Sequence, residues 1–113
     1  MIQIKRVYDD YADSDGYRIL VDRLWPRGLT KEKAHVDEWA KEIAPSNELR
    51  VWFHHDTTRF AEFKTRYLQE LQEKKDLLAD IRKRAQHHRV TLVYGAKDET
   101  NNQAQVLLSL LQK

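Results

Sequence analysis

Two short, nearly continuous apolar segments constrain the fold of this chain more than any other feature: residues 17–22 and residues 90–94. A strand that is covered on both faces has this pattern, whereas in a strand with one solvent-exposed face apolar and polar residues alternate. The segments between them carry apolar residues at helical spacing. Because parallel strands need long connections, this order predicts an α/β fold: a small, mainly parallel sheet of about four strands with helices packed on its faces.

The remaining elements follow from periodicity and capping residues. The clearest helix has an apolar face made of Phe60, Phe63, Tyr67, Leu68 and Leu71. We expect another helix over residues 76–86, a helical turn over 29–34, and a first strand near residues 2–8. Residues 36–43 fit a helix or a strand, and alternation favours the strand. Ser46 and Asp56 are expected to cap helices, and Thr100 with Gln103 matches a capping box that would begin the last helix.

Size and composition limit the possible functions. The 113 residues suffice for one core, so we expect a single domain over residues 1–113. A formal charge of +2 is too small for a general nucleic-acid or membrane binder. The chain has no cysteine, which excludes disulfides, thiolate catalysis and cysteine-based metal sites. No signal-peptide core or membrane-length apolar stretch is present, so a cytoplasmic location is expected.

Charged residues gather where the strand over residues 17–22 ends. Asp22, Arg23, Trp25 and Arg27 follow one another there, at the edge of a parallel sheet where ligands usually bind. Guanidinium groups bind phosphate or carboxylate through paired donors, and a tryptophan can flank a planar ligand. The alternative is structural: Arg23 pairs with an internal acid such as Asp22 or Asp98, and Trp25 is part of the core.

The strand over residues 90–94 ends in a second polar segment, which contains Lys97, Asp98 and Asn102. It leads into a helix N-terminus, whose free amides favour an anion. The segment lacks the glycine spacing of phosphate-binding and dinucleotide-binding loops. Asp98 has a structural alternative as a helix cap or as the partner of Arg23.

Histidines and basic residues suggest two further functions that the sequence disfavours. His54, His55 and Asp56 are adjacent, but neighbouring histidines point in different directions, and no metal site is expected. His54 or His55 can still serve as an acid or base in a site. Residues 82–89 are strongly basic, yet they are better explained by the end of a helix than by nucleic-acid binding, because no aromatic residues accompany them.

Several short motifs resemble those of the YeaO-like family of uncharacterised bacterial proteins, domain-of-unknown-function family 488, over nearly the full length. They are VDRLWPRG at residues 21–28, Trp39 with Lys41, APS at 44–46, Leu49-Arg50 with Trp52 to His55, and YGAKD at 94–98 with Asn101 or Asn102 and Ala104. The resemblance implies a small cytoplasmic α/β domain and no particular reaction. More distant relatives carry a cysteine-histidine-arginine sequence near the position of residues 101–103 here.

These observations predict one composite pocket at three strand ends. Its expected residues are Asp22, Arg23, Trp25, Arg27, Lys41, Ser46, His54, Lys97, Asp98 and Asn102. The first hypothesis is a domain that binds a small phosphorylated or carboxylated molecule, with no cofactor. The second is a hydrolase or transferase in which Asp98 or His54 handles a proton, although no nucleophile and base are evident from spacing. The third is a module that binds a protein partner.

Overall fold

The computed structural model describes all residues from 1 to 113, and its centre is one sheet of four parallel strands. The strands lie in the order β1-β4-β2-β3 and comprise β1 (Ile2–Arg6), β2 (Tyr17–Leu20), β3 (Glu38–Trp39) and β4 (Val90–Tyr94). All three pairings are parallel, so all the strands end at the same edge of the sheet. The predicted α/β fold with a parallel sheet is confirmed.

Five α-helices connect or follow the strands: α1 (Lys31–Ala34), α2 (Asn47–Phe53), α3 (Phe60–Leu71), α4 (Lys75–His87) and α5 (Gln103–Leu111). The predicted helices over residues 60–71 and 76–86 correspond to α3 and α4. Ser46 caps α2 by accepting a hydrogen bond from the Leu49 amide, as expected. No helix has both the length and the apolar character that crossing a membrane requires.

One face of the sheet carries the main apolar core. Alternate residues of the central strands point to this face, among them Ile19 and Leu92. They pack with the apolar stripes of α2 to α5, where Phe63 and Tyr67 of α3 are almost completely buried. The stripe of α3 repeats every three or four residues, which explains why the sequence predicts this helix so clearly.

The other face has a small apolar cluster and a buried charge. The guanidinium of Arg18 is 1% exposed and donates to Asp15 Oδ2 at 2.6 Å, to the His35 carbonyl oxygen at 3.0 Å and to the Ala34 carbonyl oxygen at 3.0 Å. Lys5 contributes a second ion pair to Asp15 at 3.1 Å. Although burial opposes it, hydrogen bonds from Lys5, Ala12 and Arg18 hold the pKa of Asp15 below its ordinary value.

The strand expected over residues 36–43 is much shorter in the structure. β3 pairs only Glu38 and Trp39 with β2, and residues 41–43 form a 3-10 turn. The Ala40 amide makes the last bond, to the Leu20 carbonyl oxygen, because β2 itself ends at Leu20. Without a partner strand beyond that point, the backbone turns and buries Ile43 in the core.

The predicted capping box at Thr100 is wrong, because α5 begins two residues later, after Asn102. The Asn102 side chain accepts the hydrogen bond from the Gln105 amide. The Thr100 amide donates to the Asp98 carboxylate, so a Gln103 side chain cannot accept it. The Gln103 side chain instead donates a hydrogen bond from Nε2 to Asp22 Oδ1. A contact between residues distant in sequence therefore replaces the local capping contact.

Replacing Arg18 by methionine is expected to destabilise the fold by about 3 kcal/mol, because it removes one donor from the buried Asp15 carboxylate, which keeps Lys5 and the Ala12 amide, and leaves the Ala34 and His35 carbonyls without theirs. Urea unfolding at pH 7 measures the change. Arg66→Met is the matched control: the Arg66–Glu62 ion pair is exposed, and its loss should cost about 1 kcal/mol or less. Equal effects in the two variants would contradict a structural role for the Arg18 network.

Candidate functional site

A cleft of about 300 Å³ opens where β2 and β4 end. The lining residues come from the loops after these two strands, from α2 with the segments just before and after it, from α3 and from the start of α5. They are Asp22, Arg23, Leu24, Pro45, Arg50, Val51, Phe53, His54, His55, Phe63, Gly95, Ala96, Asn101, Asn102 and Gln103. The cleft therefore lies at the sheet edge that parallel topology favours for ligand binding.

Asp22 is a partly buried acid of the cleft. Its Oδ2 accepts a hydrogen bond from the Gly95 amide at 2.8 Å, and its Oδ1 accepts one from the Gln103 side chain. Burial outweighs these two donors and raises the pKa of Asp22 from 3.8 to about 6. A Cβ at position 95 would lie 3.1 Å from Asp22 Oδ2, so glycine is what lets the two strand ends approach this closely.

Arg23 joins the end of β2 to the segment before α2. Its Nε donates to the Pro45 carbonyl oxygen at 2.8 Å, and its Nη2 donates to that of Ala44 at 3.4 Å. Neither of the predicted partners, Asp22 and Asp98, forms an ion pair with it. Nη1 donates no hydrogen bond within the protein, so Arg23 has both a structural role and a donor left for a ligand.

Helix α2 and the turn after it supply three more basic side chains. Arg50 uses one nitrogen for a hydrogen bond to Asn47 Oδ1 at 2.6 Å and is otherwise without a partner. His54 ends α2 at φ 46° and ψ 39°, and His55 follows at φ 55°. Two consecutive side-chain-bearing residues in the left-handed region cost roughly 1–2 kcal/mol each relative to the right-handed region.

Four of the ten predicted site residues line this cleft: Asp22, Arg23, His54 and Asn102. Asn102 is 1% exposed and is occupied by the protein itself, because Nδ2 donates to the Asp98 carbonyl oxygen and Oδ1 caps α5. Its role in the cleft is therefore to hold the loop in place. Asp22, Arg23 and His54 have the side chains that a ligand can meet.

Trp25, Arg27 and Lys41 lie elsewhere. The Trp25 indole donates to the Leu29 carbonyl oxygen at 2.7 Å and packs on the second face of the sheet, as its structural alternative predicted. Arg27 is exposed, and its carbonyl oxygen accepts from the Tyr8 hydroxyl at 2.9 Å. Lys41 Nζ lies 4.3 Å from the centroid of the Trp39 ring, outside the cleft.

Ser46, Lys97 and Asp98 also lie outside the cleft lining. Ser46 donates from its hydroxyl to Glu70 Oε2 at 2.6 Å. Lys97 is exposed. Asp98 closes a turn by accepting from the Asn101 and Thr100 amides, each at 2.9 Å, and hydrogen bonds from Asn101 first and Thr100 second lower its pKa to about 2. Asp98 therefore caps a turn that precedes α5, while Asn102 caps the helix itself, and Asp98 does not pair with Arg23.

Arg50, Asn101 and Gln103 line the cleft but are not among the predicted site residues, and both His54 and His55 line it where the sequence left open which of the two would. Arg50 belongs to the Leu49-Arg50 motif on which the family resemblance rests, which was the available signal. Gln103 was assigned to a capping box, and nothing in the local sequence indicates its contact with Asp22. His54, His55 and Asp56 do not form a metal site. Nowhere in the structure do three histidine, cysteine, aspartate or glutamate side chains lie close enough together to bind one ion.

A larger cavity of about 490 Å³ lies between α4 and the end of β3, separate from the cleft at the ends of β2 and β4. Its lining includes the acids Glu38, Glu42 and Asp80 beside the bases Lys83 and Arg84, together with two histidines. Counting histidine as neutral, three acids against two bases leave this cavity with no excess of positive charge. The smaller cleft has two arginines against one carboxylate, and it is therefore the better candidate for binding an anion.

Asp22→Asn is expected to flatten the dependence of stability on pH. A carboxyl with a raised pKa favours the folded state fully below pH 4, and that contribution is lost as pH rises to about 6 and above. The shift from 3.8 to about 6 corresponds to at most about 3 kcal/mol. Urea unfolding of both proteins from pH 4 to pH 8 measures the effect. As pH rises, the free energy of unfolding of Asp22→Asn should increase relative to that of the wild type. Parallel curves would contradict the raised pKa.

Comparison with known proteins gives one consistent family. The sequence profile described as "Inactive DUF488-N3 subclade" matches residues 1–113. Among the relatives, the "Uncharacterized protein YeaO" of Escherichia coli K12 is 51% identical, with 98% of this chain and 96% of the relative covered. "Uncharacterized protein Rv3073c" of Mycobacterium tuberculosis H37Rv is 43% identical, with 97% and 92% covered. No solved structure matches the chain. The chain belongs to the inactive DUF488-N3 subclade, and the predicted YeaO-like resemblance is confirmed.

Proposed function

We propose that this protein is a non-catalytic domain that binds a small anionic molecule in the cleft at the ends of β2 and β4. The observation that carries the proposal is the set of basic side chains in the lining. Arg23, Arg50, His54 and His55 surround a cleft in which Asp22 is the one carboxylate. Arg23 and Arg50 both retain guanidinium donors that no protein group uses, and such donors bind carboxylates and phosphates strongly.

Binding without turnover is favoured by the chemistry of the lining. No serine, threonine, cysteine or lysine contributes to it, so the hydroxyl, thiol and amine nucleophiles of covalent catalysis are missing, and Asp22 and the two histidines are the remaining candidates. The description of the family as an inactive subclade agrees with this. Two adjacent histidines in the left-handed region support a binding role too, because strained backbone at such positions commonly accompanies function.

Acid–base catalysis in the same cleft is the second candidate, and one observation favours it. The pKa of Asp22 lies at about 6, close to the value that suits a general acid or base near neutral pH. Turnover of a bound ester that Asp22→Asn abolishes without weakening substrate binding would support this candidate over the first.

Arg50→Gln is expected to weaken anion binding at least tenfold, because it removes one of the two fixed positive charges of the cleft. Thermal shift with acetate, phosphate and sulfate gives the readout, since a ligand at 100 times its Kd stabilises the folded state by about 2.7 kcal/mol. Arg27→Gln and Lys97→Gln are the matched controls. Both residues are exposed basic positions outside the cleft, and both variants should keep the wild-type shift.

The control variants make the experiment decisive between two placements of the site. Loss of the shift in Arg27→Gln or Lys97→Gln, with Arg50→Gln unaffected, would move binding to the loops that the sequence alone favours. Absence of a shift with all three anions at millimolar concentration would contradict the proposed function.

His54→Gly is expected to raise the stability of the protein while weakening anion binding. Glycine relieves the left-handed backbone at φ 46°, a gain of about 1 kcal/mol, but it removes a basic side chain from the cleft. Urea unfolding and thermal shift measure the two effects separately. His35→Gly is the control for binding, because His35 is also left-handed, at φ 50°, and lies outside the cleft. A variant that lost stability, or kept full affinity, would contradict this role of His54.

A further inference from the structure

Two exposed aliphatic side chains flank the arginines of the cleft. Leu24 and Val51 are each 58% exposed and both line the cavity. Leu24 follows Arg23 in the loop after β2 and Val51 follows Arg50 on α2, and all four residues line the cleft. Single exposed apolar residues are common on proteins, but two that line one small cavity form a shared apolar surface.

The interior of the cleft continues this apolar surface. Phe53 is 6% exposed and Phe63 is 2% exposed, and their rings stack with centroids 4.4 Å apart. Pro45 and Ala96 also contribute to the lining. Because both rings are already buried, the apolar area that a ligand can cover belongs mainly to Leu24 and Val51. A ligand that touched only the arginines would leave these two side chains in contact with water, whereas a ligand with an apolar body would cover them and gain the free energy of burial.

Charge and donor number favour a carboxylate over a phosphate. Counting histidine as neutral, two arginines and one aspartate give the cleft a formal charge of +1, which a monoanion neutralises. Arg23 has already used its Nε and Nη2 on backbone carbonyls. A carboxylate has two oxygens to satisfy, whereas a phosphate group has three and a charge nearer −2 at neutral pH.

We propose that the ligand of this cleft is a small monocarboxylate with an aliphatic or aromatic body, held by Arg23 and Arg50 at its carboxylate and by Leu24 and Val51 along its body. This inference rests on the proposed function, since it requires that the cleft binds an anion. The cavity volume of about 300 Å³ is at the lower end for ligand sites, so the body is short.

A chain-length series tests the inference: acetate, propionate, butyrate, pentanoate and hexanoate, titrated by calorimetry or by chemical shift. Each added methylene that is buried should tighten binding about fourfold, until the cavity is full. Hexanamide, which has the same body without the charge, should bind at least tenfold more weakly than hexanoate. Inorganic phosphate should bind more weakly than butyrate.

Variants at the cleft rim separate the apolar contribution from the ionic one. Leu24→Ser and Val51→Ser should flatten the chain-length series to less than twofold per methylene. Leu24→Met and Val51→Ile keep an apolar side chain and should keep the slope. Arg50→Gln should weaken every carboxylate by a similar factor and leave the slope unchanged.

The outcomes distinguish failure of this inference from failure of the proposed function. Anion binding that depends on Arg50 but does not tighten with chain length, or that is strongest for phosphate, would overturn the monocarboxylate assignment alone. The assignment would also be overturned if binding still tightened with chain length in both Leu24→Ser and Val51→Ser. If neither acetate, hexanoate nor phosphate binds, the anion-binding function itself is overturned.

Discussion

The buried pair of Arg18 and Asp15 is the interaction on which the rest of the structure depends. A charged side chain in the central strand β2 would be very costly without partners, but every nitrogen of this guanidinium has an acceptor. Two of the acceptors are the carbonyls of Ala34 and His35 at the end of α1. The network thereby fixes the segments before and after β2 on one face of the sheet. Helices α2–α5 pack on the opposite face, and the cleft opens beside them at the strand ends.

Much of the fold could be predicted from local patterns. The buried strand β4 and the stripe of α3 are strong signals, because each buries an unbroken apolar surface. The short strand β3 was not predictable, since its length is set by where its neighbour β2 ends. The burial of Arg18 was not predictable either: Asp15 is a local partner, but the Ala34 and His35 carbonyls reach Arg18 only once α1 has packed on the sheet.

Topology predicts where a cleft opens in this fold, but it does not predict which side chains line it. Because parallel strands end at one edge of the sheet, Asp22 and Arg23 lie in the lining of the cleft. Arg27 and Lys97 occupy the same loops in sequence, yet their side chains lie outside the lining. Gln103, by contrast, lines the cleft although the sequence did not predict it there. Its contact with Asp22 joins residues 81 positions apart and has no local signature. Positive charge in a loop predicts where an anion binds only when the direction of each side chain is known.

A titration of uniformly ¹⁵N-labelled protein with butyrate, followed by amide chemical shifts, shows whether a monocarboxylate binds in the cleft. We expect saturable shifts at Gly95, Asn101, Gln103 and His54, around the cleft that Asp22 and the two arginines line. Amides near Arg27 and in the β3–α4 cavity should stay unmoved. Shifts confined to those regions, or no saturable shift at millimolar butyrate, would contradict the assignment of this cleft as a binding site.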